Sequence, residues 1–169
     1  MAQDEGRVEE RERSERGPEK WDRLGFVSLG FFLILVGTIY LITPNIYDEF
    51  VAFFKDFKLK EVAPNMFFPS PASNHPVVYE AVMKFCFGFG LFQIMILGLR
   101  FVLRDTLSRK AETLSGIIFW LGAGFLLNML LVKNIDWFAF LGGLIIFVGL
   151  SLVVRSLVVL LFGVTRKER

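Results

Sequence analysis

The chain has few of the residues that build disulfide frameworks, metal sites or cofactor sites. Among its 169 residues there is one cysteine, Cys86, and one histidine, His75. A single cysteine cannot form an intramolecular disulfide. Zinc and haem sites made of imidazoles and thiolates need several such side chains to converge. We therefore expect no metal and no cofactor in one copy of the chain.

The sequence motifs of catalysis are missing as well. There is no glycine-rich phosphate loop, no His-Glu-x-x-His, no Gly-x-Ser-x-Gly and no carboxylate pair deep in an apolar stretch. The formal net charge is only +2, and no tract of Lys and Arg stands apart from acidic neighbours. Nucleic-acid binding therefore has no electrostatic basis. The sequence predicts neither catalytic residues nor a nucleic-acid partner.

Apolar residues, by contrast, are abundant. They make up 54% of the chain, include 20 phenylalanines, and give a mean hydropathy of +0.53. This is more than a soluble domain normally carries. They concentrate in four stretches, about 24–43, 77–99, 113–132 and 137–163, each close to the ~20 residues that a helix needs to cross a hydrocarbon core of ~30 Å. Because backbone amides in hydrocarbon must be bonded within their own segment, we predict an all-α membrane protein with four transmembrane helices packed as a bundle.

Charged residues set the domain boundaries and predict the orientation. Residues 1–23 mix both signs without an apolar stripe, which predicts a disordered tail or, alternatively, a docking arm for a soluble partner. Residues 24–163 form the membrane domain, and residues 164–169 are a basic C-terminus. Lys and Arg are more numerous on the side that would hold both termini. The positive-inside rule therefore predicts a multi-pass protein whose termini are both cytoplasmic.

The outer connection after the first span, residues 44–76, is the longest in the chain. Within it, residues 46–59 carry phenylalanines at helical spacing and charged residues on the other face. This pattern predicts an amphipathic helix that lies in the membrane interface or over the ends of the bundle. The phenylalanines are Phe50, Phe53, Phe54 and Phe57. Two roles stay open for this face: a lid over the helix ends, or a binding or gating element that meets a partner or a substrate.

The remainder of this connection holds most of the prolines and is expected to be irregular. We expect His75 to be an ordinary surface residue there. At the start of the second span, Glu80 and Lys84 are spaced i, i+4 and are expected to form an ion pair.

The last span contains the most extended row of small residues. They recur every seven positions, at Gly142, Gly149, Ser156 and Gly163. Small residues on one seam let membrane helices approach closely, and a seven-residue period favours left-handed packing. We therefore expect the last span to be the central helix or the helix that contacts another subunit.

Three polar residues lie inside the apolar stretches: Arg155, Gln93 and Asn128. An arginine within a span is costly and needs an explanation. Its guanidinium could reach the cytoplasmic interface, contact Gln93, Asn128 or a partner's carboxylate, or line an ion pathway. Gln93 and Asn128 are expected to form hydrogen bonds between helices.

From these patterns we expect an integral membrane protein without catalytic machinery, held in the lipid bilayer. The expected function is that of an accessory, structural or assembly subunit that associates with other membrane subunits or with itself. The alternative is a small oligomeric transporter or channel with a polar path near Arg155, Gln93 and Asn128. All six prolines lie outside the spans, which disfavours a secondary transporter with helices broken at mid-membrane.

Overall fold

The computed structural model describes residues 23–164, so the predictions for the two charged termini lie outside the described residues. The chain forms α1 (Arg23–Ile42), α2 (Ile46–Lys55), β1 (Phe57–Ala63), β2 (Met66–Pro71), α3 (Pro76–Val102), α4 (Leu107–Leu131) and α5 (Trp137–Val164). Four of these helices, α1, α3, α4 and α5, are long and apolar enough to cross a membrane. The predicted helical, multi-pass membrane fold is confirmed at this level.

The four spans are antiparallel neighbours, so the fold has two ends. At one end lie α2, the β-strands and the start of α5 at Trp137; we call this the hairpin end. At the other end α3 connects to α4 through a short turn; we call this the turn end. Both described termini of the chain, Arg23 and Val164, lie at the turn end.

The spans pack as a row rather than as a closed bundle. The order in the row is α1, α3, α4, α5, with α3 and α4 as the central pair. In the most apolar window of α1 and of α5 only 6% of residues are buried, against 28% in α3 and 33% in α4. The expectation that the last span could be the central helix is therefore wrong, because α5 is an edge helix.

Glycines explain which helices approach closely. A Cβ on Gly90 of α3 would meet Leu121 of α4, and one on Gly122 of α4 would overlap the ring of Phe147 on α5. Gly143 of α5 faces the side chain of Leu126 in the same way. Small residues at these positions allow the contacts that hold the row together.

The first span attaches to the row mainly through aromatic contacts with α3. The rings of Phe31 and Phe92 are stacked with centroids 3.8 Å apart. Gly88 of α3 leaves room for Leu35 of α1. Offset or stacked aromatic pairs add to the energy of burial, so this short stretch of α1 is its principal attachment.

Residues 57–71 form a two-stranded antiparallel hairpin, where the sequence predicts helix up to residue 59 and irregular chain in the remainder of the connection. Lys58 lies opposite Ser70, and Lys60 lies opposite Phe68. The turn contains Asn65, whose φ of 63° is left-handed, a conformation that asparagine tolerates. The predicted helix over 46–59 ends early, at Lys55. The alternation of apolar and charged residues that follows the helix was the missed signal.

The short turn between α3 and α4 is built around one carboxylate. Asp105 lies 3.4 Å from Nη1 of Arg100 and 3.7 Å from Nη1 of Arg109. Its Oδ1 also accepts a hydrogen bond from the amide of Thr106 at 2.8 Å. Helix α4 begins at Leu107, several residues before the apolar stretch predicted as the third span.

Candidate functional site

The phenylalanine face predicted from the sequence covers the hairpin end of the spans. The ring centroid of Phe53 lies 5.1 Å from that of Phe57 and 6.0 Å from those of Tyr79 and Trp137. Phe50 is partly buried, whereas Phe54 is 69% exposed and points away. Phe57 belongs to β1 rather than to the helix. Three of the four phenylalanines thus pack inward, as the lid interpretation requires.

A polar cluster follows directly after α2, and we call it the Asp56 clamp: Asp56, Ser73 and His75. Oδ2 of Asp56 accepts hydrogen bonds from the amide of Ser73 at 2.6 Å and from its hydroxyl at 2.5 Å. The same oxygen lies 3.0 Å from Nε2 of His75. The amide of Ala72 donates to the carbonyl of Asp56 at 3.1 Å. One residue therefore fastens the end of α2 to the segment that enters α3.

The expectation that His75 is an ordinary surface residue is wrong. Its exposed fraction is only 8%, and its ring centroid lies 5.4 Å from that of Phe53. Its polar partner, Asp56, is distant in sequence, and no local pattern indicates the pairing. A buried polar group normally has a hydrogen-bond partner, and the clamp supplies it.

The clamp also determines the ionisation of Asp56. Hydrogen bonds from the Ser73 hydroxyl, then from His75 and from the Ser73 amide, lower the pKa of Asp56 from 3.8 to about 2. Bonds to the charged form favour that form. Asp56 is therefore a carboxylate throughout the neutral and mildly acidic range.

The clamp contains the three residue types of a hydrolase triad in an arrangement that differs from a triad. In a triad, one ring nitrogen of histidine faces the carboxylate and the other faces the hydroxyl. Here Nε2 of His75 faces both, at 3.0 Å from Oδ2 of Asp56 and 3.4 Å from Oγ of Ser73. The hydroxyl donates directly to the carboxylate. This geometry holds a chain segment in place and provides no proton relay through the ring.

The three polar residues of the spans are not brought together. Gln93 of α3 packs against Gly116 of α4, and the side-chain amide of Asn128 donates to Sδ of Met83 at 3.5 Å. Met83 and Gln93 are about 15 Å apart along α3 at 1.5 Å per residue. Both groups connect α3 with α4, but at different depths. The structure therefore does not bring Gln93 and Asn128 together at one point.

Arg155 is exposed on α5 and makes no hydrogen bond or ion pair within residues 23–164. It lies about 27 Å from Trp137 along the helix at 1.5 Å per residue. If Trp137 lies at one interface, this distance is close to the ~30 Å thickness of the hydrocarbon core. Of the three explanations for this arginine, extension of the guanidinium to the interface fits this position best.

The small-residue seam of the last span faces away from the other described helices at Gly142 and Gly149. A Cβ on Gly142 or Gly149 would meet nothing within 4 Å. Ser156 is exposed, and the surroundings of Gly163 lie outside what the structure describes. Contact with α4 is made instead by the other side of α5, where Phe140 and Ser151 are buried. Gly142 and Gly149 therefore pack against no other helix of the described residues.

An apolar groove opens between α1, α2 and α3, and no pattern in the sequence predicts it. Its volume is about 440 Å³ and its lining is apolar. It lies near the hairpin end, with the amphipathic helix as one wall. The residues that bound it include Val36, Tyr40, Tyr47, Phe50, Val82 and Phe85.

The predicted ion pair between Glu80 and Lys84 is confirmed, with Nζ 2.7 Å from Oε1. Both side chains are about half exposed, so the pair contributes little to stability. Over residues 23–164, no three side chains of His, Cys, Asp or Glu lie close enough together to hold a metal ion.

Comparison with known proteins assigns no family, because no family model, no curated protein and no solved structure matches the chain.

Proposed function

We propose that the chain is a non-catalytic, multi-pass membrane subunit that assembles laterally with other membrane-spanning chains through the outward face of α5. We define this face by Gly142, Gly149 and Ser156. The observation that supports the proposal is the open space beside Gly142 and Gly149. These glycines serve no helix contact within the described chain.

The shape of the outward face suits a partner helix. Residues seven apart lie nearly in line on a helix with 3.6 residues per turn, so the small residues form a shallow channel. Ile145 and Leu152 on one flank and Ile146 and Val153 on the other are exposed and form its ridges. Ridges of one helix pack into the channel of another, and small residues between them allow the backbones to approach.

Lipid contact gives these glycines no advantage. A glycine in a helix interior is less favourable than alanine by about 1 kcal/mol, and a large apolar side chain satisfies a lipid-facing position equally well. Gly142 and Gly149 both carry this cost on one face of α5. A second helix that approaches this face would explain why glycine is present there. The edge position of α5 in the row leaves that approach unobstructed.

The orientation belongs to the same proposal. Basic residues are more numerous at the turn end when the two terminal segments that adjoin it are counted together with Arg100, Arg104, Arg109 and Lys110 of the helix connection. The positive-inside rule then places the turn end and both termini in the cytoplasm. Helix α2 and the Asp56 clamp then lie on the opposite side of the bilayer, and the outward face of α5 runs between the two sides.

Photocrosslinking in native membranes tests the proposal. A photoreactive phenylalanine analogue at Leu152 lies on the outward face, and the same analogue at Leu91 on α3 is the matched control. Leu152 is 56% exposed and Leu91 is 61% exposed, and each is about 22 Å from the hairpin-end start of its helix at 1.5 Å per residue. We expect irradiation to join position 152, but not position 91, to a second copy or to one recurrent membrane protein identified by mass spectrometry. Lipid adducts alone at position 152, or equal protein adducts at both positions, contradict the proposal.

A further inference from the structure

The groove between α1, α2 and α3 has a surface that only an apolar occupant can fill. Its lining presents apolar atoms and offers no polar surface. A water molecule there would lack the two to four polar partners that an ordered water needs. Leaving the space empty would forfeit the dispersion contacts of its walls. Its volume of about 440 Å³ lies within the range of about 300–1,000 Å³ typical of small-molecule sites.

The position of the groove indicates which apolar molecules can reach it. Along α1 it extends from Phe32 to Tyr40, about 12 Å at 1.5 Å per residue. Both residues belong to a helix long and apolar enough to span a bilayer. Tyr40 and Tyr47 lie at its hairpin end, and tyrosine prefers the level of the lipid headgroups. The groove thus runs from the interface into the hydrocarbon layer and is continuous with the membrane-facing surface of α1.

Other occupants fit the groove less well. The segments outside the described residues, 1–22 and 165–169, adjoin Arg23 and Val164 at the turn end, which is the opposite end of the spans. Both segments are rich in charged residues, which an apolar lining disfavours. A second copy that docks on the outward face of α5 would lie at the other edge of the row.

We propose that this groove is a lipid site that binds the hydrocarbon chain of a bilayer lipid between α1, α2 and α3. A chain in this position touches all three helices at once. It extends the attachment of α1 beyond the stacked rings of Phe31 and Phe92 towards the small buried cluster of Ile39, Ile46 and Ala81. The groove therefore recognises the lipid by its hydrocarbon chain and not by its headgroup, because its lining carries no charged side chain.

Labelling with a photoactivatable lipid tests the site. The full-length chain is reconstituted in phosphatidylcholine vesicles in which the lipid carries a diazirine in its acyl chain, irradiated, digested and mapped by mass spectrometry. We expect adducts to concentrate on the groove residues of α1, α2 and α3 beyond what their exposure accounts for. Labelling spread over all lipid-facing helix surfaces in proportion to exposure overturns the proposal, as does labelling that avoids the groove.

A matched pair of variants separates a bound chain from ordinary surrounding lipid. Val36→Trp fills the groove, whereas Ile34→Trp adds a similar volume on the opposite face of α1. Val36 is 45% exposed and Ile34 is 67% exposed, and the two lie about 3 Å apart along the helix. After extraction into detergent and extensive washing, we expect lipid to remain with the wild type and with Ile34→Trp. In Val36→Trp it should fall by about tenfold, which corresponds to about 1.4 kcal/mol.

A third variant and a second lipid headgroup extend the lipid-retention measurement. Val82→Trp fills the groove from α3 and should repeat the loss, while circular dichroism verifies that each variant is folded. Equal retention from phosphatidylcholine and phosphatidylglycerol vesicles supports recognition of the chain, and retention with only one headgroup contradicts it. Absence of retained lipid in the wild type, or equal retention in all variants, also overturns the proposal.

Discussion

Oδ2 of Asp56 lies 3.0 Å from Nε2 of His75, so a hydrogen bond joins the end of the amphipathic helix to the residue just before α3. The same oxygen receives both donors of Ser73. The hairpin leaves the spans after Asp56 and returns before Ser73. The clamp therefore closes the base of the hairpin. An isolated two-stranded hairpin is only marginally stable, which makes this closure important for the outer segment.

Asp56→Asn is expected to loosen the base of the hairpin. An amide side chain is neutral, so the charge-assisted bonds from Ser73 and His75 weaken. We expect hydrogen exchange at the Ser73 amide to accelerate by about tenfold, because the hairpin base opens locally more often. The matched control is Asp48→Asn on the exposed side of the same helix, which should leave this amide unchanged. Equal effects of both variants would show that the clamp does not secure the hairpin.

The acid dependence of the clamp has a defined sign. Its bonds lower the pKa of Asp56 from 3.8 in the absence of partners to about 2. The ionised carboxylate is thus favoured in the folded state. Its contribution to the stability of the fold is complete above pH 3.8 and is lost as the pH falls through about 2. We expect the fluorine NMR signal of 5-fluorotryptophan at position 137, which packs near Phe53 and Phe57, to shift across this range. In Asp56→Asn the shift should be absent, and an identical acid transition in both proteins would assign it to other groups.

The close approach of α4 and α5 predicts a position where even alanine is harmful. A Cβ on Gly122 would overlap the ring of Phe147, whereas Gly98 on α3 has open space beside it. Overpacking costs about 1–3 kcal/mol, while alanine in an unobstructed helix position gains up to about 1 kcal/mol over glycine. We expect Gly122→Ala to lower the thermal unfolding midpoint in detergent and Gly98→Ala to leave it unchanged or raise it. Equal midpoints for both variants would mean that Phe147 moves aside freely.

The spans can be predicted from length and hydropathy, because an apolar segment in hydrocarbon must form all its backbone hydrogen bonds internally and therefore becomes a helix. The early start of α4 at Leu107 was missed because Arg109, Lys110 and Glu112 extend the helix beyond the apolar stretch. The hairpin was missed because its prolines, Pro69 and Pro71, suggested irregular chain. In a two-stranded sheet each strand is an edge, where proline is tolerated.

Contacts between residues that are distant in the sequence could not be predicted from it. The seven-residue spacing of Gly142 and Gly149 stands out in the sequence, yet Gly122 and Gly143 make the contacts between α4 and α5. The spacing shows that small residues share one face of a helix, but it does not show which helix, if any, packs against that face. For the same reason His75 gave no indication of its pairing with Asp56. The apolar groove depends on three helices at once and has no local pattern.

Assembly through the outward face of α5 is tested most directly by the native mass of the Gly149→Leu variant in mild detergent. Leucine fills the open channel beside Gly149 on α5, and Gly98→Leu makes the same change at another open glycine. In mild detergent we predict that the wild type and Gly98→Leu migrate in assemblies larger than one chain, while Gly149→Leu is folded and monomeric. A monomeric wild type with no co-purifying membrane protein, or a Gly149→Leu variant that assembles like the wild type, would contradict assembly through this face.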